Sequence, residues 1–195
     1  MARKLTRRGR DRRRQLMELA TARFAENGYH PTSVADIVAG LGVGKGVFYW
    51  YFESKEQLLL EILRDAHRDL RRRQQAAIGD EPDPVRRIEL GMRASMAWFG
   101  EHRELFNLFD FAVTDERFAP AMRRGQEVAV ADTVRHVKDG IVEGRIRDVD
   151  PDLLSHAILG VTGQLARVFI HERDVDPGEV ADAGVSFCLE GLLGT

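Results

Sequence analysis

The chain contains little cysteine and proline, and long apolar runs are missing. Its 195 residues include one cysteine and six prolines. A single cysteine excludes an internal disulfide, and it excludes the paired cysteines of zinc fingers and CxxC redox sites. No apolar run approaches the ~20 residues that cross a bilayer, and the basic N-terminus has no apolar segment of the kind found in secretory signals. We therefore expect a cytoplasmic protein that does not enter a membrane.

Motifs for catalysis and metal binding are missing as well. The six histidines show no metal-ligand spacing such as HExxH, and the chain has no P-loop, GxGxxG or GxSxG motif. Cys188 lies on an apolar helix face, where a cysteine is usually packed and not reactive. A metal-dependent enzyme would need several histidines and carboxylates to converge, which the spacing does not indicate. We expect no enzymatic activity, no cofactor and no metal.

Strand patterns are the third absence, since no segment alternates strictly or is rich in β-branched residues. The prolines fall near breaks between runs of helical period. A chain of this length can form one or two small domains. We predict an all-α protein with an N-terminal three-helix domain over residues 1–55 and a C-terminal helical bundle over residues 56–195.

The charge differs between these two predicted domains. Residues 1–55 hold 11 Lys and Arg against 5 Asp and Glu, a net charge of +6, whereas residues 56–195 hold 18 against 26, a net of −8. The positive charge of the first domain is concentrated at its N-terminus. A basic segment of this kind can be a solvated tail or can bind phosphate, and a neighbouring helix-turn-helix pattern favours phosphate contact. Eight basic residues occupy the first 14 positions: Arg3, Lys4, Arg7, Arg8, Arg10, Arg12, Arg13 and Arg14.

The helix-turn-helix pattern begins after a first predicted helix over about residues 9–27. Ser33 with Asp36 three residues later is typical of a capping box that starts a second helix. Gly40 and Gly42 lie on either side of the following turn. These signals predict two short helices joined by a tight turn.

The third predicted helix follows Gly44 and holds five consecutive aromatic residues, from Phe48 to Phe52. They cannot all be buried in so short a helix. Phe48 and Phe52 are four residues apart and are expected to face inward, while Tyr49, Trp50 and Tyr51 remain outside. An exposed aromatic face beside a lysine is typical of a surface that binds a partner.

Double-stranded DNA is the partner that the surrounding charge favours. The N-terminal end of a recognition helix usually enters the major groove, and here it carries Lys45, Gly46 and Val47. Small residues let the backbone approach base edges, and a valine can contact a thymine methyl group. The aromatic hydroxyl and indole donors, together with Ser33 and Lys55 at helix starts, would contact phosphates and fix the orientation.

The segment 28–59 resembles the DNA-binding domain of the TetR family of transcriptional regulators. The motifs that carry the resemblance are a Gly-aromatic pair (Gly28-Tyr29), Thr32-Ser33-Val34, and the run GVGKGVFYWYFESK over residues 42–55. The resemblance is specific over residues 9–60 and only architectural beyond. Gly44 departs from the family's usual Ser or Thr, which removes a hydroxyl that would cap the helix. The resemblance implies contacts from Thr32, Ser33, Lys45, Gly46, Val47, Tyr49, Trp50, Tyr51 and Lys55.

The resemblance also implies a homodimer formed by the last two helices, over about residues 152–193. These helices carry broad apolar surfaces interspersed with small residues, which permit close helix approach. The alternative is that they only close the core of the monomer. A two-fold dimer would present two recognition helices to half-sites about 34–36 Å apart.

A set of aromatic and methionine residues in the second domain is either ordinary core or the lining of a ligand cavity. The resemblance implies a pocket for a hydrophobic or aromatic inducer, so that the protein would be a repressor that leaves its operator when ligand binds. The rival is control by a protein partner; a pocket of several hundred cubic ångströms would favour the ligand. The candidate ligand residues are Met92, Met96, Trp98, Phe99, Phe106, Phe109 and Phe169.

Overall fold

The computed structural model describes residues 6–192, and within this part the regular structure is entirely helical. The all-α prediction is confirmed. Leu193, the predicted end of the last helix, and the basic residues Arg3 and Lys4 lie outside the described residues. The helices are α1 (Arg7–Asn27), α2 (Val34–Ala39), α3 (Lys45–Tyr51), α4 (Lys55–Ile78), α5 (Pro84–Glu101), α6 (Glu104–Thr114), α7 (Ala119–Val142), α8 (Pro151–Leu165, continued by a π-helix over Ala166–Glu172) and α9 (Pro177–Leu192).

The chain divides into two compact units. The first consists of residues up to Asp65 together with Asn107–Met122, and the second consists of Ala66–Phe106 together with the residues from Arg123 onward. The boundary that the sequence predicts, between residues 55 and 56, falls at the first residues of α4 and remains a prediction.

The first unit is built on apolar residues that recur at helical spacing. In α1, Leu16, Ala20 and Phe24 are four residues apart and all buried. Ile37 of α2 and Phe48 of α3 are fully buried as well. Helices of six or seven residues are unstable alone. Helices α2 and α3 are therefore stabilised by packing their buried faces against neighbouring helices.

Local capping explains where several helices begin. The predicted capping box is confirmed, because the Ser33 hydroxyl accepts from the Asp36 amide while the Asp36 side chain accepts from the Ser33 amide. Helices α5 and α8 each follow an aspartate cap with a proline in the first turn. Helix α7 begins at Ala119 and has Pro120 in its first turn, where the missing N–H of proline does no harm.

Two glycines shape the turn between α2 and α3. Gly42 has a φ of +62°, a conformation that residues with a side chain rarely adopt. At Gly40, an added Cβ would lie 2.5 Å from a methyl carbon of Leu19 in α1. The turn therefore packs closely on α1, and this contact holds the helix-turn-helix segment in place.

The core of the second unit contains two hydrophobic clusters. One joins residues of α5, α7, α8 and α9, and the other joins residues of α5, α6, α9 and the π-helix. The first contains Val85, Ile88, Met92, Val137, Ile146, Leu154, Ile158, Val185 and Cys188. The second contains Met96, Phe106, Ala166, Ile170, Val180 and Ala181.

One helical stretch, Pro151–Glu172, is long and apolar enough by length and composition to cross a membrane. Core helices of soluble proteins meet the same criterion, so this is weak support for a membrane span. Here Leu154 and Ile158 belong to the core, which gives an internal reason for part of the apolar character.

Candidate nucleic-acid interface and interior cavity

The third helix has one buried and one exposed aromatic face, as the sequence predicts. Phe48 and Phe52 are buried, whereas Tyr49 is 56% exposed and Trp50 is 51% exposed. Tyr51 is half-buried. The Trp50 and Tyr51 rings meet edge to face, with centroids 4.5 Å apart, so the exposed rings form a small ordered surface.

The N-terminal end of α3 is open to its surroundings. Lys45 and Gly46 are exposed and Val47 is half-buried. A Cβ at Gly44 or Gly46 would meet no atom within 4 Å, and Gly44 has an ordinary φ of −80°. Glycine inside a helix lowers stability by about 1 kcal/mol relative to alanine. Packing within the protein therefore does not require a glycine at position 46.

Gly44 is the N-cap of α3 and makes no side-chain hydrogen bond. The loss of a capping hydroxyl predicted at this departure from the family pattern is therefore confirmed. The helix still forms, because glycine at an N-cap costs only a few tenths of a kcal/mol relative to serine.

Ser33 is exposed, but its polar groups are used within the protein. Its hydroxyl donates to the Asp36 carboxylate over 2.6 Å, and its amide donates to the same oxygen over 2.8 Å. These two hydrogen bonds lower the pKa of Asp36. The start of α2 thus carries a stable negative charge, and a phosphate bound beside Ser33 would have to approach that charge.

Lys55 and Thr32 have internal roles that the sequence analysis missed. The Lys55 ammonium donates to the carbonyl oxygens of Tyr29 (2.7 Å), His30 (3.3 Å) and Thr32 (2.7 Å). An ammonium has three N–H donors, so these acceptors match all of them. Burial lowers the pKa of Lys55. Thr32 is 3% exposed, and its hydroxyl donates to the Gly28 carbonyl over 2.8 Å, which argues against a direct DNA contact by that hydroxyl.

The Tyr29 ring is the centre of a cluster in the first unit. Lys55 lies 4.3 Å from the ring centroid, and Arg117 lies 5.5 Å from it. Phe111 stacks on the ring and Phe118 meets it edge to face, each at 5.2 Å. Burial raises the pKa of Tyr29. Residues 107–122 are thereby packed onto the loop that Lys55 holds.

The described arginines near the N-terminus lie on α1 and not on a tail. Arg7, Arg8 and Arg10 are exposed. Arg13 forms an ion pair with Glu61 and lies 5.1 Å from the Phe52 ring centroid, so it also serves packing within the unit. Phosphate contact by this basic segment remains a prediction.

The second unit contains a cavity of about 200 Å³ among α4, α5, α7 and α8. Its apolar wall includes Ile88, Met92 and Ile158, and its polar wall is rich in arginine. The full lining is Arg71, Gln74, Gln75, Ile78, Gly79, Arg87, Ile88, Gly91, Met92, Ser95, Ala129, Asp132, Thr133, Arg135, His136, Ile158, Leu159 and Thr162.

Two lining residues have a buried nitrogen without a hydrogen-bond partner. Among the described residues three such side-chain atoms occur, and two of them, Arg87 Nε and His136 Nδ1, are atoms of residues that line this cavity. A buried polar group left unsatisfied costs about 1–3 kcal/mol. Burial and the neighbouring Arg87 and Arg135 lower the pKa of His136. Two residues beside the cavity therefore have polar atoms that are not satisfied within the protein.

The predicted ligand residues do not surround this cavity as a group. Met92 lines it, and the other six are not among the lining residues. Met96 and Phe106 are buried in a hydrophobic cluster with Phe99 and Phe169 packed against them. These four residues are better interpreted as part of the hydrophobic core than as the lining of a ligand site, because they pack against one another.

Trp98 and Phe109 have other positions. Trp98 is buried, stacks on His102 and donates its indole N–H to the Asp69 carboxylate over 2.8 Å. That hydrogen bond lowers the pKa of Asp69. Phe109 falls in the segment 107–122 that belongs to the first unit. The polar lining of the cavity was missed because arginines on helices are usually read as solvated.

Helices α8 and α9 each carry an exposed stripe of apolar and small residues. On α8, Leu153, Ala157 and Gly160 are exposed at intervals of three or four residues. On α9, Phe187 is 69% exposed. A Cβ at Gly160 would meet no atom within 4 Å, so packing inside the chain does not require that glycine.

The described residues contain no group of three or more His, Cys, Asp or Glu side chains placed to hold a metal ion. Cys188 is buried, and burial raises the pKa of its thiol. A thiol with a raised pKa is a weaker nucleophile at neutral pH. The prediction that Cys188 is packed in the core is confirmed.

Comparison with known proteins supports this view of the fold and of the helix-turn-helix unit. The family described as bacterial regulatory proteins, tetR family, matches residues 16–62. The transcriptional repressor KstR2 of Mycobacterium tuberculosis is 33% identical over 186 residues, which cover 93% of this chain and 92% of that protein.

Solved structures share the whole architecture. FadR of Bacillus subtilis, in complex with stearoyl-CoA, has a TM-score of 0.82 at 18% identity and covers 92% of this chain and 98% of its own. A transcriptional regulator of Saccharomonospora viridis in complex with choline has a TM-score of 0.81 at 20% identity, covering 95% and 100%. These two show the fold alone. The identity to KstR2 over nearly the full length goes further: the chain belongs to the TetR family of transcriptional regulators.

Proposed function

We propose that the protein is a homodimeric repressor that reads double-stranded DNA with α3 and is released by a small ligand. The observation that supports DNA binding is that α3 has one buried face and one exposed face. Phe48 and Phe52 anchor one face, while Tyr49, Trp50 and the open N-terminal end at Gly44–Gly46 face outward. This arrangement suits a helix that is held rigidly on one side and inserted into a groove on the other.

The exposed residues of α3 divide into two roles. Lys45, Gly46 and Val47 lie at the N-terminal end and would face base edges in the major groove. Tyr49, Trp50 and Tyr51 would contact the phosphate backbone, which positions the helix without reading sequence. In this proposal Lys55 acts mainly by holding the loop 29–32, and any contact that it makes with a phosphate would be secondary.

DNA selection with the purified protein tests this proposal. The enriched duplex is expected to contain two half-sites about one helical turn apart, 34–36 Å or a multiple of it. Val47→Ala should change the preferred bases, at about 1–3 kcal/mol per affected base pair, whereas Tyr49→Phe should weaken binding to every duplex equally. An equal loss on all sequences for Val47→Ala would contradict its role in base readout.

The proposal of a homodimer is supported by the exposed apolar residues of α8 and α9. Large exposed side chains such as Leu153 and Phe187, beside glycines that no internal contact requires, are typical of a surface that a second copy covers. A two-fold axis between such surfaces would pair two recognition helices on one operator. The same burial would account for the apolar character of Pro151–Glu172 without a membrane, as expected for a cytoplasmic regulator.

Relief of repression by a ligand rests on the cavity in the second unit. Two proteins of the same fold hold stearoyl-CoA and choline. The cavity of about 200 Å³ is smaller than the ~300–1,000 Å³ of sites for drug-sized ligands, so a compact ligand or one end of a longer ligand is expected. A ligand that prefers the DNA-free state would weaken operator binding about 5–150-fold, the usual range of allosteric coupling.

Operator titration in the presence of candidate ligands tests this half. A ligand that binds the cavity should lower operator affinity, and Ile158→Trp, which fills the cavity from its apolar wall, should abolish that response. If no ligand changes operator affinity while DNA selection succeeds, control by a protein partner becomes the better explanation.

A further inference from the structure

From the polar wall of the cavity we infer that its ligand is an amphipathic anion, a molecule with a carboxylate or phosphate group attached to a compact apolar body. This inference rests on the proposed ligand site and names the chemistry that the site selects. The cavity is lined by three arginines, Arg71, Arg87 and Arg135, which we call the arginine wall, against one carboxylate, Asp132. Asp139, which is not a lining residue, pairs with Arg87, so the three arginines have two carboxylate partners and a formal excess of one positive charge.

Arg87 is the most buried member of the arginine wall: its side chain is 17% exposed, whereas those of Arg71 and Arg135 are 45% and 67% exposed. Its Nη2 pairs with Asp139 over 3.0 Å, while its Nε is buried and has no hydrogen-bond partner in the protein. A guanidinium binds carboxylate and phosphate through parallel N–H donors, and an unpaired Nε–H is one such donor. Nearby on α7, the Nδ1 of His136 is also buried and unpartnered. Both residues line the cavity, and rotation of the Arg87 side chain would bring its unpaired N–H to an anionic group bound there.

The other two arginines share one internal counter-ion. Arg71 donates to the two carboxylate oxygens of Asp132 over 2.5 and 3.0 Å, and Arg135 donates to one of them over 3.2 Å. One carboxylate therefore serves two guanidinium groups, so the pair retains a positive charge. A bound anion would supply the second counter-charge and would compete with Asp132 for both arginines.

The hydroxyl groups of the lining offer few donors of their own. Ser95, Thr133 and Thr162 each donate to the carbonyl four residues earlier in the same helix, over 2.7, 2.9 and 2.8 Å. Their hydroxyl protons are therefore used, and the remaining side-chain donors of the lining lie on arginine, glutamine and histidine. A neutral polar ligand would gain less from this wall than an anion does.

The apolar part of the lining accommodates an apolar body of limited size. Ile78, Ile88, Met92, Ile158 and Leu159 line it. A volume of about 200 Å³ corresponds to about seven water molecules at ~30 Å³ each. We infer that a short aliphatic or ring-shaped body fills this part while the anionic group contacts the arginine wall.

Four probes with the same six-carbon chain test the inference on the intact protein: hexanoate, hexyl phosphate, hexan-1-ol and hexylamine. Binding is measured by calorimetric titration and thermal shift at pH 7.5, where hexanoate is ionised and hexylamine is protonated. Hexanoate or hexyl phosphate should bind more tightly than hexan-1-ol, about tenfold for one charge-assisted hydrogen bond, and hexylamine should bind most weakly. The tighter of the two anions identifies the head group as carboxylate or phosphate.

Substitutions assign the preference to named residues. Arg87→Gln should lower hexanoate affinity about tenfold or more and leave hexan-1-ol nearly unchanged. Asp132→Asn should raise hexanoate affinity, because it removes the competing carboxylate. The matched control is Arg86→Gln: Arg86 is exposed on the same helix, pairs with Glu89 and does not line the cavity, so no probe should change.

The outcomes separate this inference from the proposed function. Preference for hexan-1-ol or hexylamine, or absence of binding by all four probes, would overturn the anion selectivity. If hexylamine binds best and also releases operator DNA, relief by ligand stands and only the chemistry is wrong. If hexanoate binds as expected but operator affinity is unchanged, the inference stands and the inducer half of the proposed function fails.

Discussion

Gly46 occupies the second position of α3, where a methyl group would meet no atom of the protein within 4 Å. Gly46→Ala should therefore raise the free energy of unfolding by about 0.5–1 kcal/mol, because alanine reduces the freedom of the unfolded chain. The same methyl group would lie between the helix and base edges, so operator affinity should fall. Urea unfolding and operator titration on one preparation measure both effects. A stabilised variant with unchanged operator affinity would remove Gly46 from the DNA interface.

Substitution of Lys55 is expected to lower the stability of the protein, whereas Gly46→Ala is expected to raise it. Its ammonium holds three carbonyl oxygens of the loop 29–32, so Lys55→Met should lower the free energy of unfolding by about 1.5–3 kcal/mol, the range for hydrogen bonds to charged groups. Tyr49→Ala is the matched comparison, since Tyr49 is exposed and should affect DNA binding with little change in stability. If Lys55→Met unfolds at the wild-type urea concentration yet loses DNA affinity, Lys55 acts on DNA directly and not through the loop.

The sequence predicts the role of a residue when its contacts are local along the chain. The inward positions of Phe48 and Phe52 and the Ser33–Asp36 box depend on residues three or four positions apart, which a sequence pattern reveals. The Lys55 contacts join residues 23 to 26 positions apart. No local pattern distinguishes a lysine that folds back onto a loop from one that extends toward DNA, so the internal role of Lys55 could not be predicted.

Helix α7 combines charge and burial around His136, which faces the cavity in the second unit. Burial, together with Arg87 and Arg135, lowers the pKa of His136, while Asp132 and Asp139 act in the opposite direction. The unfolded chain then takes up a proton more readily than the folded protein. Stability should fall as the pH drops below about 6.5, the ordinary histidine pKa, toward the lower folded value.

Substitution of this histidine tests the sign of the effect. His136→Gln should reduce the difference between urea midpoints measured at pH 7.5 and pH 5.5. His156→Gln is the control, because the His156 side chain is 56% exposed on α8. A pH dependence that is the same in His136→Gln and in the wild type would assign the effect to other groups.

Helix boundaries could be predicted from the sequence where a capping residue or a glycine marks the end of a helix. They could not be predicted where the residue, such as a proline, is compatible with both a break and a helix start. Pro120 indicated a break between helices, yet it lies in the first turn of α7, where proline is tolerated. The π-helix over Ala166–Glu172 has no local sequence signal. The residues that line the cavity come from four helices and lie between positions 71 and 162, and a space of this kind depends on where side chains leave a gap in the packing.

At the scale of the whole molecule, the proposed dimer depends on the exposed faces of α8 and α9. Phe187 is 69% exposed on α9, and a charge at that position would be buried without a partner if two copies meet there. Phe187→Glu should therefore yield a monomer in analytical ultracentrifugation, with a helical content equal to that of the wild type. Operator affinity should fall by about a hundredfold or more, because the two recognition helices no longer bind as one unit.

The same substitution elsewhere separates a specific surface from a general effect of added charge. Val142 ends α7 and is 87% exposed, so Val142→Glu places an equal charge at a hydrophobic position outside the proposed interface. That variant should sediment and bind DNA as the wild type does. If Phe187→Glu also remains a dimer, the α8 and α9 faces are not the contact between copies. Half-sites at the spacing of one helical turn would then need another surface to hold two recognition helices at that distance.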